Sequence, residues 1–566
     1  MKRDALVTKS ALSATRIALL VAGVLMAALP LLRCPREESA GAPLPTPTPL
    51  RPAPAPVADT IFTGTREVKE ITFAPDGAVW VATNGGVLHR AQDDAWQKFT
   101  RLSGLPTHEI RGFEMTGARE VKVLTPRGSA LWRPGAFKRW QPETETTGQP
   151  AAPQAQHTAE ATWRGATVVA TLSGLSIRNG ETPRTVPLPP SPGTHLSALL
   201  PRGDAKDALL WAAMFGDGLW SFDGKDWKPI NIGLPPRARE ITALVADDKT
   251  IWVGTRRDGL WQYDGKNWKQ HLQPDEPFDH NAQALINYRG VLLMSTLEDG
   301  LAARTGDGWQ HFSENVIPNS SLITHHSSLS SNAPRQMVEF KGTLYVRHGG
   351  GKVDRFDGTQ WTRNVFPWLP RKKAMAIAAD GKRLCIAQWG GWSEWDGKAW
   401  KHYLNLPELQ GLPMVTLHPA DSTLWIGTQS RGVGEFDYAT NKLRWHDERH
   451  GLPDDWITCL ARVNGVLYAG TFVGGLAWWD GKRWATAPQL EGENVTALEP
   501  DGAGGLFIAT RNGVWHRSAQ GVLQRLNDEL KFLDSEAQAL CKVSEGLWIG
   551  ARTGLFFVTG ATLKRT

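Results

Sequence analysis

The sequence predicts an all-β chain built from one four-stranded unit repeated about twelve times. Three observations carry this. Tryptophan is abundant, 26 residues against 6 tyrosines, and it stands beside 57 glycines, the bias that a recurring Trp and a recurring Gly turn produce. A run of the type IWVGT (251–255) returns as LWIGT (424–428) and LWIGA (547–551). The turn Asp-Gly-Lys-x-Trp occurs at 223–227, 264–268, 396–400 and 480–484, with DGTQW at 357–361.

Each unit reads as a short apolar run, a polar turn, the IWVGT-like run, a Gly turn, a third run, an Asp-Gly turn and a strand bearing Trp. That is an antiparallel meander of four strands. Gly accepts the positive φ of a tight hairpin and Asp bonds its own backbone there. The centre of the second run marks the phase at Trp80, Val123, Val169, Trp211, Trp252, Leu293, Tyr345, Cys385, Trp425, Tyr468, Phe507 and Trp548. The 468 residues from Trp80 to Trp548 make eleven intervals of about 42.5, the period of a β-propeller blade. A unit this small cannot bury a core alone, so blades stack and both faces of each sheet turn apolar. The outer-strand Trp then fills the widest part of the gap between neighbours and is read as structural.

Twelve blades exceed the 4–8 usual in one ring, so the sequence predicts two. The longest interval, 52 residues from Leu293 to Tyr345, contains a Ser/Asn-rich stretch without strand pattern. Six phase markers precede it and six follow. The expected organisation is a basic tip and membrane segment (1–33), a Pro-rich linker (34–59), a first six-bladed propeller (60–312), a connector (313–334) and a second six-bladed propeller (335–566); seven plus five is the open alternative.

Residues 17–32 (IALLVAGVLMAALPLL) carry no charge, and Lys2, Arg3, Lys9 and Arg16 precede them. This charge bias places the N-terminus in the cytoplasm and everything after Arg33 outside it. The expected location is the bacterial inner membrane, crossed once, with the propellers in the periplasm or beyond. A cleaved signal peptide is the rival, and Cys34 invites a lipoprotein reading that Arg33 does not favour. The stretch 43–56 has Pro at nearly every second position, which fixes φ and removes amide donors, so a stiff passive spacer is expected.

The repeats resemble a known family, the two-component-regulator propeller repeats of bacterial sensor proteins. The resemblance lies in IWVGT, LWIGT and LWIGA, in the Gly-Leu turn after them, and in Gly-Leu-Pro before the next blade (104–106, 233–235, 411–413, 451–453). It covers nearly all of residues 64–566 and implies an extracytoplasmic sensor propeller working through a histidine kinase. The sequence runs to Thr566 inside its last repeat, so only the recognition half of that role transfers.

Composition and motifs narrow the chemistry. A formal charge of +6 over 566 residues is no nucleic-acid signature, and four Cys make no disulfide scaffold. There is no HExxH, no GxxxxGK[ST] and no GxSxG. The GGGK run at 349–352 reads as a hairpin turn, Cys385, Cys459 and Cys541 as small buried hydrophobes, and His325 and His326 as an accidental pair in the connector. No cofactor and no metal are expected.

One constellation remains. The positions two before each first strand, expected to ring a channel mouth, are Arg66, His108, His157, Thr194, Arg239 and His280 in the first propeller. In the second they are Arg335, Lys372, Leu412, Asp455, Glu493 and Ser535. The first ring has no acid there, so Arg66, His108, His157, Arg239 and His280 are the candidate ligand site for an anionic group. Glu67, Glu109 and Glu240, one residue later, are placed to neutralise it. The expected function is an exported, membrane-tethered, non-catalytic binding module, sensor-like, taking an anionic small molecule or polymer, or a protein partner such as a separate signalling protein. The alternative is an exported propeller lyase or hydrolase acting on a polysaccharide or other anionic substrate.

Overall fold

The structure is a computed structural model. It describes residues 49–566 apart from 92–94, 118–119, 134–138, 144–158, 172–173, 181, 192, 194, 204–206, 231–233, 248–249, 272–275, 277–280, 315–324, 328, 527–535 and 565–566. The membrane segment and Cys34 lie outside the described residues. Among those described, no helix is long and apolar enough to cross a membrane.

Twelve antiparallel meanders form, and every phase marker falls in the second strand of its sheet. We number them blade 1 (68–99), 2 (112–142), 3 (160–187), 4 (196–229), 5 (241–271), 6 (282–313), 7 (334–362), 8 (376–404), 9 (414–446), 10 (457–486), 11 (495–525) and 12 (537–559). Eleven of them take all their core strands from one continuous stretch. Blade 12 supplies only three, and its outer strand is Thr60–Phe62, paired antiparallel with Gly554–Thr559.

The packing between blades divides them five and seven, not six and six. The core between blades 5 and 1 joins Ala243, Trp252 and Leu260 to Val68, Ile71 and Val81. The core between blades 12 and 6 joins Cys541, Trp548 and Phe557 to Ala282, Leu292 and Met294, with Phe62 and Trp309 inside it. Blades 6 to 12 are linked by further cores at each successive seam, so this ring is closed all round. Among blades 1–5, cores join 1 to 2, 3 to 4, 4 to 5 and 5 back to 1, which makes these five the other ring.

The motif glycine shows why. A Cβ on Gly254 of blade 5 would lie 2.4 Å from Val68 of blade 1, and one on Gly550 of blade 12 would lie 2.9 Å from Ala282 of blade 6. The same glycine meets Ile457 in the next blade from Gly427, and Val495 from Gly470. Glycine stands in IWVGT because the first inner-strand residue of the following blade packs onto it. Hydrogen bonds repeat the partition. Inner strands carry a bulge after their first residue, and the bulged hydroxyl donates to the first carbonyl of the next inner strand: Ser197 to Ile241 (2.6 Å), Thr242 to Val68 (2.6 Å), Thr458 to Val495 and Thr496 to Ala537 (2.6 Å). A bulge turns a side chain out of the ladder, and here it becomes a blade-to-blade clasp.

The five-bladed ring is thus an insertion. The chain lays down the outer strand of blade 12, leaves at Thr63, builds blades 1–5, and returns at Asn281 to begin blade 6. The expected connector is no boundary: His325–Ser327 adds a fifth, parallel strand to blade 6, against Gly308–Ser313, and Leu329 is buried in the seam between blades 6 and 7. The end of the Pro-rich linker also differs from a free spacer. Pro52 bridges Thr305, the Gly306 amide donates to the Arg51 carbonyl (3.1 Å), and Arg304 donates to the Pro54 carbonyl (2.7 Å). Prolines keep their carbonyls, so this edge accepts bonds although it donates few. Asp59 then accepts from the Thr559 amide (2.8 Å) and the Thr562 hydroxyl (2.8 Å), tying the linker to the last helical turn.

Candidate functional site

The loops entering each inner strand and the turns between second and third strands lie at one end of a blade, here the loop end. The linker docks at the opposite end, against Gly290, Gly306 and a cleft of about 200 Å³ lined by Ala53, Ala55, Arg304, Ser544 and Glu545. The two rings meet through loop-end residues of both. Arg237 of the five-bladed ring holds Asp299 of blade 6 (2.7 Å), and Arg257 holds Glu298 (2.9 Å). Lys98 pairs with Glu276, which also accepts from the Thr65 amide (3.1 Å).

The predicted residues fall largely into this junction. Arg66 is buried and sits 3.8 Å from Asp258 Oδ1, with Arg237 3.9 Å from the same oxygen. Burial pushes the Arg66 guanidinium below its usual range, Asp258 opposing it, and burial pushes Asp258 up against the pull of both arginines. His108 is fully buried with its ring 5.8 Å from Phe556 of blade 12. Arg239 ends the short helix Pro236–Arg239, half-buried, with its Nε in contact with no acceptor. His157 and His280 lie outside the described residues. Glu67 bonds Lys69 and Asn84, and Glu240 pairs with Arg257. Arg66 and His108 therefore stand between the rings, and an anion reaching Arg66 would have to displace Asp258.

At the loop end of the seven-bladed ring one backbone bond recurs. The first residue of the second-to-third-strand turn donates its amide to the carbonyl of the residue before the inner strand: Phe472 to Trp456, Arg511 to Asn494, Arg552 to Glu536, Gln429 to Pro413 and Gly349 to Ala333. The backbone is constant while the side-chain pair varies. In blade 10 the pair is aromatic, Trp456 stacked on Phe472 at 4.2 Å and 13°, with Arg511 over Phe472 and Val473 56% exposed beside it. Trp389, in the matching turn of blade 8, is 52% exposed. Exposed aromatics of this kind suit recognition.

The central channel of this ring is polar. Gln538, Gln283 and Arg335, the bulge residues of blades 12, 6 and 7, join side chain to side chain, Gln283 donating to Gln538 (2.6 Å) and Arg335 to Gln283 (3.2 Å). Gln336 accepts from the Ile377 amide of blade 8 (3.1 Å) and donates to the Val415 carbonyl of blade 9 (3.3 Å), a reach across two blades that is open only near the axis. Arg347 donates from Nε to the same Gln336 (2.9 Å). In blade 7 the run LYVRH (344–348) replaces IWVGT, so Arg347 stands where nine of the other eleven blades have Gly or Ala, blade 2 having Leu124 and blade 6 Ser295. His348 replaces the Thr and bonds a buried Asp354 (2.7 Å). The sequence reading passed over both, although their place in the repeat marks them. Cys459 and Cys541, by contrast, pack in the seams between blades 10 and 11 and between blades 12 and 6, and burial pushes each thiol up to about 12. No group of His, Cys, Asp and Glu able to hold a metal is found among the described residues.

The class defined by this geometry is a double β-propeller with a five-bladed ring inserted into a seven-bladed one. No family model and no curated protein match the chain. Among solved structures it is similar to the extracellular domain of a chain described as a hybrid two component system, BT3049, from B. thetaiotaomicron (15% identity, TM-score 0.42, covering 88% of this chain and 69% of that one). It is also similar to PorZ, a surface component of the type-IX secretion system of Porphyromonas gingivalis (13%, 0.35, 89% and 87%). A third is the GH74 enzyme of Niastella koreensis (12%, 0.42, 88% and 99%). At these identities and scores the likenesses say nothing of ligand or activity, and the fold stands on the strand pairing above.

Proposed function

We propose that the chain is an exported, membrane-tethered binding module of the sensor-like kind, which takes its ligand or protein partner at the loop end of the seven-bladed ring. The observation that carries this is the opposition of the two ends. The linker from residue 49 on docks beside Gly290 and Gly306, while the exposed Trp389 and Val473 and the half-buried Trp456–Phe472 stack stand at the other end. Lys2 to Arg16 face the cytoplasm and both rings lie outside it.

Two linked measurements test the reading. Protease added to spheroplasts should digest the rings, and protection would overturn the topology. In a thermal-shift screen of residues 49–566, compounds that stabilise the parent should fail to stabilise Trp389→Ser/Val473→Ser. Those exposed positions should change folding stability by no more than about 0.5 kcal/mol, so lost stabilisation reports lost binding. Hits that stabilise the variant as much as the parent would move the binding face elsewhere.

A further inference from the structure

The strongest unassigned feature is the charge at the mouth of the seven-bladed channel. We infer that the channel mouth at blade 7 is an anion site, in which Arg335 and Arg347 hold a carboxylate, phosphate or sulfate group of the ligand. The inference rests on the binding-module reading and names the chemistry of its ligand.

Four observations converge. Both guanidiniums are half-buried, and among the described residues neither makes an ion pair; their side-chain bonds go to Gln283, Gln336 and the His348 carbonyl. These acceptors are neutral, so among the described residues two positive charges are held together with no ion-pair partner. Burial and the Arg335 charge push Arg347 down to about 10, and no carboxylate pulls it back. Such an arrangement is costly in the folded protein unless an anion completes it. Arginine presents a planar fork suited to two oxygens of one anionic group, and a low-dielectric mouth strengthens the attraction.

The second observation is that both residues break the repeat. Arg347 takes the motif Gly position, and Arg335 takes the bulge position that carries Ser or Thr in blades 4, 5, 10 and 11. Third, access is open. The loop-end pair that is Trp456–Phe472 in blade 10 is Ala333–Gly349 in blade 7, with one methyl group between them, and a Cβ on Gly349 would stand 3.6 Å from Arg335 Nε. Fourth, the glutamines are already ordered. Gln336 is fixed by Ile377 and Val415, and Gln283 by Gln538, so the arginines are held before any ligand arrives.

The test uses the full chain and inorganic phosphate as probe, titrated by calorimetry at constant ionic strength. The parent should bind one phosphate per chain. Arg335→Thr and Arg347→Ala return each position to a residue type other blades carry there, and each should weaken binding by about tenfold or more through loss of a charge-assisted contact. Arg347→Lys keeps the charge without the fork and should fall between. Arg239→Gln, in the other ring, should bind like the parent. A folded double variant that binds phosphate as tightly as the parent overturns the site, and so does a parent that binds none. Neither result touches the aromatic end, because loss of stabilisation in Trp389→Ser/Val473→Ser is read with whatever compound the screen supplies.

Discussion

Replacing residues 63–281 with a loop copied from 447–456 should leave a folded seven-bladed propeller. In the intact chain the outer strand of blade 12 ends at Phe62 and the inner strand of blade 6 begins at Ala282, on adjacent blades. Between blades 9 and 10 the same geometric step is made by residues 447–456, from Lys442–His446 to Ile457–Val463. Nothing in the seams from blade 6 round to blade 12 requires blades 1–5, since every core of that ring is drawn from its own residues, from Thr60–Phe62 and from Leu50 and Ala55 of the linker. The shortened chain should melt cooperatively and keep its β-sheet circular dichroism. Cutting the chain between 313 and 334 should do the opposite, because it removes blade 6 and the clasp strand, Thr60–Phe62 on the outer edge of blade 12, from their own ring. Two cooperatively folding halves from that cut, with a collapsed excision variant, would reinstate the six-and-six division.

Phe62→Ala should cost about 3–5 kcal/mol, the range for truncating a buried aromatic. Phe62 is 5% exposed, packs 5.9 Å from the Trp309 ring and 5.8 Å from Trp548, and lies under the Arg304 guanidinium at 5.3 Å. It is the one large side chain that the clasp strand inserts into the seam between blades 12 and 6. Its loss leaves a cavity that the rigid sheets on either side cannot fill. The strand has three residues, so little else holds it, and ring closure should weaken with it. Denaturant melts of the seven-bladed excision variant read the effect without interference from the other ring. A change below about 1 kcal/mol, the size of a typical surface or partly exposed substitution, would mean the clasp does not close the ring.

The repeat was legible because blades are made by local chemistry. An Asp-Gly turn, a β-branched or Trp-bearing second run and a Gly hairpin each declare themselves within a few residues, so the count of the blades and the second strand of each came out of the sequence, with Val123 and Val169 in blades 2 and 3 one residue out of register. The partition did not, because ring closure is a pairing of surfaces far apart in the chain. The long interval between Leu293 and Tyr345 advertised a boundary and turned out to hold an extra strand on blade 6. The true crossing, between Trp252 and Leu293, is 41 residues long and looks like any other. What could have revealed it is the partner of the motif glycine, Val68 for Gly254 and Ala282 for Gly550, and that partner is visible only in three dimensions.

The candidate site shows the same contrast. Arg66 and His108 were singled out by position, yet the junction between rings absorbs them. Arg335 was noticed as a loop residue, but it lies within the inner strand Pro334–Phe340 and its bulge turns it to the axis. Arg347 carried a signal in the sequence, a charged residue in the place of the motif glycine. Reading departures from the repeat, rather than its most regular members, would have found it.

The five-and-seven partition is tested most directly by disulfide trapping in a background with the native cysteines replaced. Gln283 and Gln538 are in side-chain contact across the seam between blades 6 and 12, and Thr242 bonds blade 1 at Val68, next to Lys69. Cys pairs placed at 283 and 538, and at 69 and 242, should form disulfides in the folded protein, while a pair at 69 and 283 should not. In a six-and-six molecule blade 6 closes on blade 1, so the pair at 69 and 283 would form and the pair at 283 and 538 would stay reduced.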